Sequence, residues 1–110
     1  MGVSRLTQEI VTEAPVSQTV LEKQFAKNSK GEAIPSVLNI KKLIFKNAVA
    51  QAVTNFKDGQ DNQEIAVLGD GFTTINNNAN IQTNTGANKL LTNGLVYHFT
   101  KFLGKWREDA

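Results

Sequence analysis

NFKDGQDNQEIAVLGDGFTTINNNANIQTNTGANKLLTNGLVYHFTKFLGKWRE, residues 55–108, is the stretch that decides the fold. It is a series of short runs rich in apolar and β-branched residues, each closed by Gly, Asn or Asp. Runs of this kind form strands and tight turns, so this half of the chain is expected to be all β. EIAVL, Glu64–Leu68, is the clearest single strand. Ile65 and Val67 fall on one face and Ala66 and Leu68 on the other, and apolar residues on both faces mark a central, covered strand. Shorter strands are expected at 72–75 and 81–85, around NNNAN, and at 89–91. The strongest pair is a terminal hairpin, 95–102 with 105–108 around Leu103 and Gly104. It projects Leu95, Tyr97 and Phe99 to one side and Val96, His98 and Phe102 to the other. Thr92, Asn93 and Gly94 read as a further compact hairpin turn. The expected turn formers are Asp58, Gly59, Gly69, Asp70, Gly71, Gly86, Gly94 and Gly104, through positive φ at glycine and side-chain turns at aspartate.

Upstream, residues 36–56 carry VLNIKKLIFKN and AVAQAVTNF, in which Ile40, Leu43, Ile44, Phe45, Val49, Val53 and Phe56 crowd together. Periodicity does not separate helix from strand in runs this short. The β-branched content favours two strands divided near 46–48. Ala48, Ala50 and Ala52 keep a helix over 46–55 as the alternative. Residues 1–35 are polar and read as an arm or linker, with the β-domain at 36–110. Thr19 and Glu22 have the spacing of a capping box, and Val20, Leu21 and Phe25 share a helical face, so the arm is expected to be extended or partly helical. In a self-assembling protein such an arm packs along a neighbour.

The chain has 110 residues, 40% of them apolar, and no cysteine. That length suits one domain, and a domain this small buries only part of its apolar surface alone, which points toward partner subunits. Disulfides and thiolate metal sites are excluded. No apolar run approaches the roughly 20 residues of a membrane span, and no signal core follows the N-terminus. The net charge of +2 is dispersed among Lys23, Lys27 and Lys30, Lys41 and Lys42, and Lys101, Lys105 and Arg107. A nucleic-acid surface clusters its basic residues and interleaves them with aromatic platforms, so nucleic acid is not an expected partner.

From DGQDNQEIAVLGDGFTTI through TNTGANKL to the final Tyr97, Phe102, Gly104 and Trp106, the order of elements resembles the C-terminal β-modules of bacteriophage tail-fibre, tailspike, appendage and head-fibre proteins. The resemblance covers about half the chain. It implies a virion surface component, usually a homotrimer, whose β-modules intertwine or stack about a three-fold axis and contact other virion proteins. Stacked β architectures suit the many Asn and Thr residues, whose inward side chains bond from layer to layer. Unlike a full fibre, the sequence has no long shaft and no room for a separate enzymatic domain. A compact capsid-attached protein or a fragment of a longer fibre fits that departure.

Residue by residue, no catalytic or metal constellation stands out, and no cofactor is expected. Asp58, Asp61 and Asp70 sit beside glycines as turn formers; a calcium site competes for them, but their spacing matches no EF-hand loop. Glu64, Asp70 and Glu108 provide no spacing that selects a glycosidase pair. His98 lies mid-strand without a Cys, Asp or Glu beside it. The aromatic residues of the terminal hairpin stabilise a sheet through cross-strand pairs. Alternatively, Tyr97 or Trp106 lies on an exposed face and stacks on a host-surface glycan.

The expected protein is thus mostly β, a short-stranded β-sandwich or a trimeric intertwined β-module. Its expected function is that of a non-enzymatic phage structural protein contributing to host attachment, with capsid decoration or a carbohydrate-binding module of a polysaccharide-degrading spike as alternatives.

Overall fold

The computed structural model describes residues 25–109. Nine strands fill this span, with no helix among the described residues: β1 (Ala26–Ser29), β2 (Lys42–Phe45), β3 (Gln51–Val53), β4 (Glu64–Leu68), β5 (Thr73–Ile75), β6 (Ile81–Gln82), β7 (Lys89–Leu90), β8 (Val96–Phe102) and β9 (Lys105–Glu108). The protein is mostly β, as its turn-punctuated sequence predicts. The helical alternative at 46–55 is not adopted; β2 ends at Phe45 and β3 begins at Gln51. The capping box at Thr19 and Glu22 lies outside the described residues. The larger sheet already begins at Ala26, within the stretch read as the arm, because β1 pairs in parallel with β2.

Two sheets share one core. The larger has the order β1-β2-β4-β8-β9-β6 and the smaller β3-β5-β7. The chain crosses from the larger sheet to the smaller after β2 and again after β4, and both recurrences are parallel: Leu43 beside Val67, Ala52 beside Thr74. A third stretch returns in the same sense, with Ser36 bridged to Lys57 and the Thr54 amide donating to the Ala33 carbonyl at 2.9 Å. The result is a short coil in which the return from β1 to β2 takes 16 residues and the later turns roughly twenty to twenty-five, a repeat length common in stacked architectures. Antiparallel strands then close it: β8 pairs with β4, and β7 with β5.

Alternation in the strands decides which side chains enter the core. Leu43 and Phe45, Ile65 and Val67, and Thr73 and Ile75 point inward and are buried, while the residues between them face out. At the centre Phe56 meets Phe99 and Trp106 edge to face, with ring centroids 5.7 and 5.6 Å apart. Burying side chains of this size contributes about 1.5–3 kcal/mol each.

Two expectations are corrected. Ala66 and Leu68 are only half-buried, so β4 is central in pairing but its second face is partly open. The turn at Thr92, Asn93 and Gly94 is real, with Gly94 at φ 82° and the Leu95 amide donating to the Thr92 carbonyl at 3.1 Å, yet it makes no hairpin. Its flanking strands belong to different sheets. Leu91, fully buried beside the turn, draws the chain through the corner between the sheets. Burial therefore outweighs local turn chemistry here.

Candidate functional site

Of the two rings expected to meet a glycan, Trp106 is 1% exposed and its Nε1 donates to the Phe56 carbonyl at 3.1 Å. It offers no face to a sugar, and the cause is register: β9 places it inward, opposite Ile81 of β6. Tyr97 is half-buried, its hydroxyl accepts from the Thr92 amide at 2.9 Å, and the Lys89 ammonium lies 5.7 Å from its ring centre. Trp106 serves the core, while Tyr97 braces the turn and keeps part of its ring open.

The turn formers divide by task. Asp58 itself adopts φ 68°, and Gly71, Gly86, Gly94 and Gly104 also have positive φ. Gly59 and Gly69 are needed for another reason. A β-carbon at Gly59 would collide with the Trp106 ring, and one at Gly69 with the Thr92 carbonyl. Asp70 organises the corner: its carboxylate accepts from the amides of Asn47, Phe72 and Thr73, each at 2.8 Å, and from the Thr73 hydroxyl at 2.9 Å. Partial burial acts to raise the pKa of Asp70, but these bonds outweigh it and hold the carboxyl below its ordinary value. Asn47 extends the network between successive turns of the coil. Its Oδ1 accepts from the Gly31 amide at 2.7 Å and its Nδ2 donates to the Thr73 hydroxyl at 2.8 Å.

The acidic groups weighed for chemistry are not gathered. Glu64 lines a cleft, Asp70 caps the corner, and Glu108, whose side chain is 4% exposed, pairs with Lys89 at 2.8 Å. Among the described residues no group of three His, Cys, Asp or Glu side chains is placed to hold a metal ion.

Two surface features remain. The first is an open cleft of about 670 Å³ beside the start of β4, where the 58–63 loop meets the 38–41 segment. Asp58, Asp61, Glu64 and Asp109 bring carboxylates to it; Asn39, Gln60, Asn62 and Gln63 bring amides, with Lys41, His98 and the Phe25 ring alongside. Asn39, Asp58 and Asn62 all adopt left-handed backbone, at φ 56°, 68° and 74°, which short polar residues tolerate best. Several groups are anchored. The Asp58 carboxylate accepts from the Ser36 hydroxyl at 2.6 Å, Asp61 from the Gly104 amide at 3.0 Å, and Gln63 Nε2 donates to the Val37 and Ile40 carbonyls. Sequence reading takes Asp58 and Asp61 as turn formers with a calcium site as the competitor, and does not join them to Asn39 or Asp109, since nothing local reveals that loops distant in sequence share a wall.

The second feature is the corner where the chain crosses between sheets. Each crossing exposes apolar residues: Val49 at 72%, Phe72 at 44%, and Leu90, Leu95 and Val96 at 60%, 51% and 48%. Half-buried Ile44 and Leu68 continue the row, since Ile44 pairs with Leu68 and Leu68 with Val96 on the outer face of the larger sheet. Val96, Leu68 and Ile44 thus form a short apolar stripe across three neighbouring strands at the corner. No family model, curated protein or solved structure matches this chain.

Proposed function

We propose that this is a non-enzymatic structural protein of a bacteriophage virion: a homotrimeric fibre or appendage module at the virion surface that contributes to host attachment. The observation carrying the self-association is the apolar corner stripe. Val96, Leu68 and Ile44 sit side by side across three stacked strands, with Val49, Phe72 and Leu95 exposed where the chain crosses between the sheets. A stripe parallel to the stacking direction suits a rotational axis, because each copy then offers the same edge to its neighbours. The virion assignment is supported by the resemblance of residues 58–106 to phage fibre modules and by the layered Asn47–Thr73 bonding that such modules favour.

Light scattering and native mass spectrometry test the assembly. A trimer is expected at micromolar concentration, and a monomer would overturn the reading. Antibody labelling of virions in electron micrographs tests the location, with label expected at fibre or appendage positions on the particle surface.

A further inference from the structure

We propose that the cleft beside β4 binds a saccharide that carries a free amine. The inference deepens the attachment reading, on which its place in host recognition rests, and it moves the glycan contact from the buried hairpin ring to the loops. The argument begins with what the walls present. A pocket of hundreds of cubic ångströms with convergent polar groups is the ordinary form of a small-ligand site. This one sets Phe25, Leu38, Ile40, Ile65 and Ala66 beside its amides and carboxylates, a mixture that suits a ligand with many hydroxyls and apolar ring faces.

Charge then narrows the class. Among the described residues that line the cleft, Asp58, Asp61, Glu64 and Asp109 outnumber the one ammonium, that of Lys41, which leans over the Phe25 ring at 5.7 Å from its centre, while the Lys101 ammonium is held on the Gly59 carbonyl at 3.0 Å. Such a field repels uronates, sialates and phosphate-bearing sugars and attracts an ammonium group. Asp58 and Asp61 each use a carboxylate oxygen on the protein itself. Glu64, exposed at the first position of β4, makes no hydrogen bond or ion pair with another described side chain, and is the carboxylate best placed to receive the amine. A charge-assisted hydrogen bond there would be shorter and stronger than those to the sugar hydroxyls. The loops that form the walls are held by backbone bonds: the Asn62 amide donates to the Lys101 carbonyl at 2.6 Å, and the Gln63 amide to the Gln60 carbonyl at 3.0 Å. The site is preformed, which limits the ordering cost of binding.

The test uses the full chain and three probes: a glucosamine tetramer, its fully N-acetylated counterpart, and a galacturonate tetramer. Calorimetry and amide NMR shifts are the readouts, with light scattering on the same samples. Expected are saturable binding of the glucosamine tetramer with shifts at Asn39, Asn62, Glu64 and His98, binding of the acetylated form at least fivefold weaker, and none of the galacturonate. Glu64→Gln should weaken glucosamine binding about fivefold to tenfold while leaving the NMR spectrum otherwise folded; Gln82→Ala, at the far edge of the sheet, should leave it unchanged. No saturable binding at millimolar probe, equal binding of the galacturonate, or an unaffected Glu64→Gln protein would each overturn the proposal. If any of these occurs with the trimer intact, the cleft assignment fails alone; a monomer that binds glucosamine sinks the assembly reading instead.

Discussion

Trp106 illustrates how one residue's type conceals its role. An indole in a terminal hairpin is equally suited to a sugar-binding surface and to a core, and only the register of β9 against β6 turns it inward. With its ring against Phe56 and its Nε1 satisfied, replacing it by alanine both opens a cavity and orphans the Phe56 carbonyl. The expected cost is about 3–5 kcal/mol, read as a lower midpoint in urea unfolding. Asp70 makes a pH-dependent contribution. Its folded pKa lies below the ordinary value of 3.8, so the stabilisation is complete at neutral pH and is lost as pH falls through that lowered value. Asp70→Asn removes the charge and turns an amide donor toward existing donors, at a cost of about 1 kcal/mol at pH 7 given its partial exposure. The gap between wild type and Asp70→Asn should narrow below pH 4 in unfolding titrations; a gap that widens with acid would contradict the assignment.

Strand positions were largely legible because alternation and turn residues act locally. β4 spans the expected Glu64–Leu68, the β8–β9 hairpin turns at Leu103 and Gly104 as expected, and β5, β6 and β7 fall inside their expected runs though shorter. Pairing was not legible. That β2 lies parallel to β4, and that the turn at Gly94 separates two sheets, depends on contacts between distant segments that no local pattern encodes. The cleft was hidden for the same reason, since its walls come from separate loops. β4 is hydrogen-bonded on both sides, by β2 and β8, whereas β6 and β7 are two-residue strands at sheet edges. Native-state hydrogen exchange should therefore find the amides of Ile65 and Val67 among the slowest and those of Gln82 and Leu90 exchanging at least tenfold faster. Comparable rates would mean that the sheets open as one unit.

At the scale of the whole molecule, the two sheets close over Phe56, Phe99 and Trp106, yet no other described residue covers the corner stripe. The core is thus satisfied within one chain, and the proposed contacts between copies add to it rather than complete it. Phe72→Asp or Leu90→Asp should leave the circular dichroism spectrum unchanged while shifting light scattering to the monomer mass. Loss of fold along with assembly would instead assign the stripe to intrachain packing. Antiparallel β8 occupies the edge of β4 on which a further parallel turn would have to lie. Extra windings of this design therefore have to enter ahead of β4, like beads threaded behind a knotted end. A copied segment inserted between β3 and β4 would lengthen the protein while its terminal plug stayed the same.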